Sequence, residues 1–220
     1  MSLTVVKVGG SLARRGGLRA LCASLAQTAA RHELLLVPGG GAFADAVREL
    51  DALERLGAGA AHWMAVLAMD QYGLALADLI PGSRVVRSQD DACAVPAEGR
   101  AAVLLPFEWL RRVDPLPHDW SVTADAIAAW VARECRAEVL VLLKDCRAMS
   151  APLPGRSGPP TGAMTAAELA AWEAVDGYLH RLLDGLDADC WILDGERPER
   201  LDELLGRGAT DGVRVRRPAP

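Results

Sequence analysis

Short apolar runs alternate with longer stretches of helical spacing along the chain. Thr4 to Val8 is apolar except for Lys7 and stops at Gly9-Gly10, after which Leu12, Leu18, Leu21 and Leu25 recur at roughly helical intervals. This pattern predicts strand, glycine turn, helix. Glu33 to Val37 repeats it: the run ends at Pro38-Gly39-Gly40-Gly41, and Phe43 to Leu50 has the helical period. Ala60 to Leu79, rich in Ala, Leu and Met, predicts a long buried helix. Strands are expected at Arg84 to Arg87, Ala101 to Leu105, Val139 to Leu143, Cys190 to Leu193 and Val213 to Val215. Helices are expected from Ser121 to Trp130, capped by Ser121 or Thr123, from Thr165 to Leu183 and from Leu201 to Leu205. The Pro- and Gly-rich stretch from Ala151 to Gly162 reads as a loop and a candidate lid. Fully apolar strands alternating with helices predict an α/β fold, a three-layer αβα sandwich with a mainly parallel central sheet.

Composition narrows the class. A length of 220 residues suits one domain. Hydrophobic residues at 51% and charged residues at 24% exclude disordered and fibrous classes. Every apolar run breaks well before the ~20 residues that a membrane helix needs. Met1-Ser2-Leu3 passes directly into strand-like sequence with no basic leader, so a cytoplasmic protein is expected. A net charge of -5 gives no general attraction to nucleic acid or anionic lipid, so an anionic ligand has to be met by a local site. Cys22, Cys93, Cys135, Cys146 and Cys190 form no CxxC pair and no zinc-like spacing; they read as reduced core thiols, and no protein-held metal is expected.

Ligands of a parallel sheet gather at the carboxyl ends of its strands, where both glycine turns fall. Gly9-Gly10-Ser11 and Gly39-Gly40-Gly41 let backbone N–H groups approach a phosphate, and the helix each turn opens favours an anion. Lys7 precedes the first turn on a strand, and a lysine among apolar strand residues needs a partner. Of the 24 basic residues only Lys7 and Lys144 are lysine, and a compact ammonium acts differently from a guanidinium beside a phosphate. Neither turn is a Walker A motif, since the lysine comes before the glycines, and the first turn has no dinucleotide fingerprint.

Val6-Lys7-Val8-Gly9-Gly10-Ser11-Leu12, Val37-Pro38-Gly39-Gly40-Gly41, Val122-Thr123-Ala124-Asp125 and the strand ending at Lys144-Asp145 resemble the ordered motifs of the amino acid kinase superfamily. The resemblance runs over nearly the whole chain, down to Gly208-Ala209-Thr210. It implies phosphoryl transfer from ATP with Mg2+ carried on the nucleotide, to a small-molecule acceptor, in a homo-oligomer whose single domain has an acceptor-binding half at roughly 1–120 and a nucleotide-binding half at roughly 121–220. By the same resemblance Lys7, Asp125 and Lys144 are catalytic, and Gly9, Gly10, Ser11, Gly40, Gly41, Lys144 and Asp145 hold phosphate or nucleotide. The chain departs from the pattern at Thr161-Gly162-Ala163-Met164-Thr165, where many members carry a lysine just afterwards. Lys144 is expected to supply that missing charge.

The stretch from His62 to Gly73 contains Ala68-Met69-Asp70-Gln71-Tyr72-Gly73. This resembles a signature of a small kinase branch of methanogens and methylotrophs, which phosphorylates an aminomethylfuran-methyl phosphate to its diphosphate on the route to methanofuran. The resemblance implies an acceptor site around Gly39, Gly40, Asp45, His62, Asp70 and Gln71, with a carboxylate facing the aminomethyl group. Alternatives are a kinase for UMP, isopentenyl phosphate or an acylamino acid, and a non-catalytic nucleotide-binding or storage relative.

Overall fold

A computed structural model describes residues 2–145 and 162–216. Among the described residues eight strands make one sheet: β1 (Leu3–Val8), β2 (Glu33–Pro38), β3 (Arg84–Val86), β4 (Ala102–Leu104), β5 (Val139–Lys144), β6 (Gly162–Thr165), β7 (Asp189–Asp194) and β8 (Val213–Arg216). Their order is β3-β4-β2-β1-β5-β7-β8-β6, parallel throughout except between β7 and β8. The antiparallel β8 alternates buried valines with exposed arginines, whereas β1, β2 and β5 are almost wholly buried. Burial on both faces is what parallel strands require.

The helices are α1 (Leu18–Ala29), α2 (Gly41–Glu54), α3 (Ala58–Leu79), α4 (Gln89–Ala94), α5 (Phe107–Val113), α6 (Ala124–Glu134), α7 (Ala166–Ala171), α8 (Leu179–Leu183) and α9 (Glu199–Arg207). They cover both faces of the sheet, as expected for three αβα layers. Val5, Leu35, Leu140 and Ile192 share one core with Ile127 and Trp130 of α6 and Leu179 of α8. Val6, Leu36, Val141 and Leu193 share the other with Leu21 and Leu25 of α1 and Leu201 and Leu204 of α9. Successive strand residues enter opposite cores because the pleat alternates their side chains. The long α3 joins the two cores, with Val66 and Met69 in one and Tyr72 and Leu76 in the other.

Strand order reverses at the β1–β5 seam, with β2, β4 and β3 on one side and β7, β8 and β6 on the other. Such a switch point leaves a crevice beyond the carboxyl ends of the strands. Lys7 lies beside Leu142 in this seam, and Lys144 ends β5.

Three expectations need correction. The first glycine turn runs into a 3-10 helix, Gly10–Arg15, and α1 starts only at Leu18, because Gly16 turns the chain through φ 77°. The helix expected from Thr165 to Leu183 is two short helices, α7 and α8, separated by a bend at Glu173 with φ 54°. Thr165 and Glu168 begin α7 with a reciprocal capping box, which also ends β6. Cys93 and Cys135 are joined in a disulfide between α4 and the end of α6. Their Cα atoms lie 5.4 Å apart despite a sequence separation of 42, a proximity that linear spacing does not reveal. Cys22 and Cys190 are buried thiols, as read, while Cys146 and the proposed lid before Gly162 lie outside the described residues.

Candidate active site

A cavity of about 300 Å³ opens at the carboxyl ends of β1, β2 and β5. Lys7, Lys144 and the two glycine turns form its inner wall. Asp45 and Arg48 of α2, His62 of α3 and Trp120 line the opposite side, and Ala65, Val66, Met69 and Ile127 supply apolar surface.

The glycine turns are pressed together backbone to backbone. Gly9 N–H donates to the Leu143 carbonyl at 2.9 Å, and Gly39 N–H to the Val8 carbonyl at 2.8 Å, so each turn is tied to a neighbouring strand. A Cβ on Gly10 would stand 2.2 Å from the Gly41 nitrogen, and one on Gly39 would stand 2.7 Å from the Gly10 nitrogen. Only glycine permits this approach. Helix α2 begins at Gly41 beside the cavity, and the first N–H groups of a helix have no intrahelical acceptor. The second turn therefore offers donors and the positive end of a helix to an anion. The buried Tyr72 hydroxyl lies 3.4 Å from the Gly9 carbonyl, steadying the first turn from α3.

Behind the turns, Asp125 is 3% exposed and faces both lysines. Lys7 Nζ approaches its Oδ1 at 3.0 Å as an ion pair, and Lys144 Nζ donates to its Oδ2. Thr123 caps α6 and accepts from the Asp125 N–H, which places the carboxylate in the first helical turn. Burial alone would raise the pKa of this carboxyl; the Lys144 and Lys7 ammonium groups outweigh it and hold the group well below the ordinary carboxylate range. Burial lowers the pKa of Lys144, against the opposing attraction of Asp125. The arrangement presents ammonium groups to a cavity while fixing them through a carboxylate that remains ionised.

Sequence reading missed Asp176, whose carboxylate organises this region. Oδ2 accepts from Thr123 N–H at 3.0 Å, Thr123 Oγ1 at 2.8 Å and Ala126 N–H at 2.8 Å. Oδ1 accepts from Tyr178 N–H at 3.2 Å and Leu179 N–H at 2.8 Å, so one side chain ties the start of α6 to the start of α8. Burial and the neighbouring Asp125 raise its pKa. Asp176→Ala would strand these donors and should cost about 3 kcal/mol, or roughly 10 °C in Tm. Thermal unfolding checks this, and a loss below about 2 °C would contradict the bridging role.

The structure brings Lys7, Gly9, Gly10, Ser11, Gly39, Gly40, Gly41, Asp45, His62 and Lys144 to one cavity. It does not bring Asp70, Gln71 or Asp145 there. Asp145 is buried and lines a separate cleft with Leu12, Gly195 and Glu196. Gln71 is exposed on α3. Asp70 turns away from the cavity to accept the Phe107 N–H at 3.1 Å, capping α5, because adjacent helical residues point about 100° apart. Gly73, in the same motif, meets Leu105 and Pro38 so closely that a Cβ would lie 2.6 Å from the Leu105 side chain. The motif thus anchors α3 against the strand ends.

Burial raises the Asp70 pKa to about 6. A carboxyl raised above its unfolded value near 4 loses stabilisation as pH rises from about 4 to 6. Asp70→Asn keeps an oxygen for Phe107 N–H and should flatten the Tm profile across that window, leaving activity unchanged; an unchanged slope would contradict this assignment. His62 is different. Burial, then the nearby His118, lowers its pKa to about 4, so it is neutral at neutral pH, stacked on His118 with ring centroids 4.3 Å apart.

A sheet whose strand order reverses beside two glycine turns and a buried lysine–aspartate–lysine cluster presents a cavity suited to an anion. The model of the amino acid kinase family matches residues 2–171, and the chain belongs to that family of kinases. Among curated relatives it is similar to [5-(aminomethyl)furan-3-yl]methyl phosphate kinase of Methanocaldococcus jannaschii, 24% identical over 206 residues, covering 91% of this chain and 92% of the relative. The fold is also that of the uridylate kinase of Archaeoglobus fulgidus, with TM-score 0.74, 16% identity and coverage of 98% and 100% of the two chains. The UMP kinase of Ureaplasma parvum gives TM-score 0.69 at 14% identity, with coverage of 97% and 98%.

Proposed function

We propose that this kinase transfers a phosphoryl group from ATP to a small phosphomonoester, [5-(aminomethyl)furan-3-yl]methyl phosphate or a close analogue, forming the diphosphate. The observation that carries this reading is the similarity to the methanogen kinase along almost the full length of both chains. The cavity supports it, since Lys7 and Lys144 line it beside the glycine turns and Arg14 and Arg48 add further positive charge.

The residues present fit a nucleoside triphosphate: a backbone cradle that a Cβ would fill, helix N–H groups without intrahelical partners, and ammonium groups at the same wall. Bound ATP with Mg2+ supplies the γ-phosphoryl group. Among the described residues no cluster of His, Cys, Asp and Glu could hold a metal, and Asp125 is engaged with both lysines, so Mg2+ is assigned to the nucleotide. Lys7 and Lys144 offset charge on the transferred oxygens, while the N–H groups of Gly10, Gly40 and Gly41 hold them in place; those of Gly9 and Gly39 are taken by strand carbonyls. An acceptor phosphate oxygen is already ionised at neutral pH. The site therefore needs positioning and charge more than a strong base.

Exposed Phe43, Leu50 and Leu53 on α2 and Leu67 and Leu74 on α3 support the expected self-association. No helix among the described residues is long and apolar enough to cross a membrane, consistent with the proposed action on a dissolved substrate in the cytoplasm.

The test is Mg2+-dependent ADP release with the aminomethylfuran phosphate, UMP, isopentenyl phosphate and acetylglutamate, with the diphosphate product identified by mass. Selective turnover of the furan phosphate is expected. Preference for UMP, or no turnover of any acceptor, would overturn the substrate assignment; the second result would favour a nucleotide binder.

A further inference from the structure

Asp45 is the one carboxylate lining the cavity among the described residues, against the cations Lys7, Arg14, Arg48 and Lys144. It is not buried with the catalytic cluster. Its side chain is 39% exposed on the first turns of α2, where it pairs with Arg14 and lies 3.9 Å from Arg48. The guanidiniums are themselves 60% and 47% exposed, so these pairs are weakly held and readily exchanged. Both ends of the Arg14–Asp45 pair line the cavity, which puts one positive and one negative group side by side there.

From these contacts, and resting on the substrate reading above, we infer that Asp45 is the specificity residue for the acceptor's ammonium group. The acceptor's two charges replace the Arg14–Asp45 pair: its phosphate draws Arg14 away, and its ammonium takes the freed carboxylate. The ligand class is a small zwitterion carrying a phosphate and a primary amine on a flat apolar frame.

The spacing and surroundings fit that class. Asp45 lies four residues beyond Gly41, the start of α2 at the phosphate end, or about 6 Å along a helix. This is of the order of the span across a five-membered ring bearing two one-carbon arms. Between these ends the surface is apolar at Ala65, Val66 and Met69. Trp120 also lines the cavity. Its indole N–H donates to Asp51 at 2.7 Å, and Arg48 lies 4.6 Å from its ring centre, which fix the ring beside Asp45. Asp70, the carboxylate of the Ala68 to Gly73 motif, is occupied with α5 outside the cavity and is excluded from this role.

The experiment compares kcat/KM for [5-(aminomethyl)furan-3-yl]methyl phosphate and its 5-hydroxymethyl analogue, in the wild type, Asp45→Asn and Asp45→Glu. The wild type should prefer the amine by about 30-fold, the value of one charge-assisted hydrogen bond. Asp45→Asn should reduce that preference to about threefold or less, chiefly through KM for the amine, and Asp45→Glu should restore most of it. Equal use of both acceptors by the wild type, or full preference in Asp45→Asn, would overturn the role of Asp45 while leaving a furan phosphate kinase in place. Failure to phosphorylate either furan would overturn the substrate reading and this inference with it.

Discussion

Asp125→Asn should lower kcat by about a thousand-fold, more than the loss of either lysine alone. Asparagine preserves the shape of a side chain buried at 3% exposure but removes the negative charge that Lys7 and Lys144 share. Two ammonium groups would then face each other without a counterion. Removing one partner from a buried charge cluster costs about 3–5 kcal/mol, so the lysines should shed a proton or swing into the cavity. The same reasoning sets the acid limit. A carboxyl held below the ordinary range contributes stability that is complete above its unfolded value near 4 and is lost as pH falls below it. Thermal unfolding from pH 2 to 6 should show a steeper acid loss in the wild type than in Asp125→Asn. Equal slopes together with near-normal kcat would contradict the shared-carboxylate account.

Lys144→Met is the second large effect, expected to cut kcat by about 100-fold. Methionine retains most of the packing of the side chain while deleting the charge that supports the transferred group. ATP and acceptor should still bind through the glycine turns and Lys7, so KM should change by less than about fivefold. The wild-type rate also carries a signature of Lys144: because burial lowers its pKa, kcat should decline with rising pH before the ordinary lysine value near 10.4 is reached. Arginine at this position should rescue poorly, since a guanidinium is broader than the ammonium that fits against Asp125. Normal turnover in Lys144→Met would remove it from the transfer site and leave the lysine missing after the Thr161-Gly162 segment unreplaced.

What could be read from the sequence was mostly local. Glycine turns after apolar strands announce their backbone chemistry, and Lys7 within such a strand demands a partner; the structure puts them at one crevice because parallel strands end together. Asp125 and Lys144 are 19 residues apart, close enough that the order of helix α6 and strand β5 makes their meeting readable. Asp176 was hidden for the opposite reason. It receives donors from Thr123 and Ala126, 53 and 50 residues earlier, and a lone aspartate between two helical stretches gives no hint of them. The Asp70-Gln71 pair does not reach the cavity as a unit because neighbours on a helix diverge, sending one to α5 and the other to the surface. Trp120 and Arg48 were passed over because an aromatic residue reads first as core and an arginine as a solvated face. Only the approach of the loop before α6 to α2 sets them over the cavity.

The most direct measurement is a crystal structure with a non-hydrolysable ATP analogue, Mg2+ and the furan phosphate. The γ-phosphate should lie within hydrogen-bond reach of Lys7 and Lys144, between the two glycine turns, with the acceptor phosphate facing it across the cavity. A triphosphate bound elsewhere, such as the cleft beside Asp145, with both lysines still turned only to Asp125, would contradict the assignment of this cavity as the transfer site.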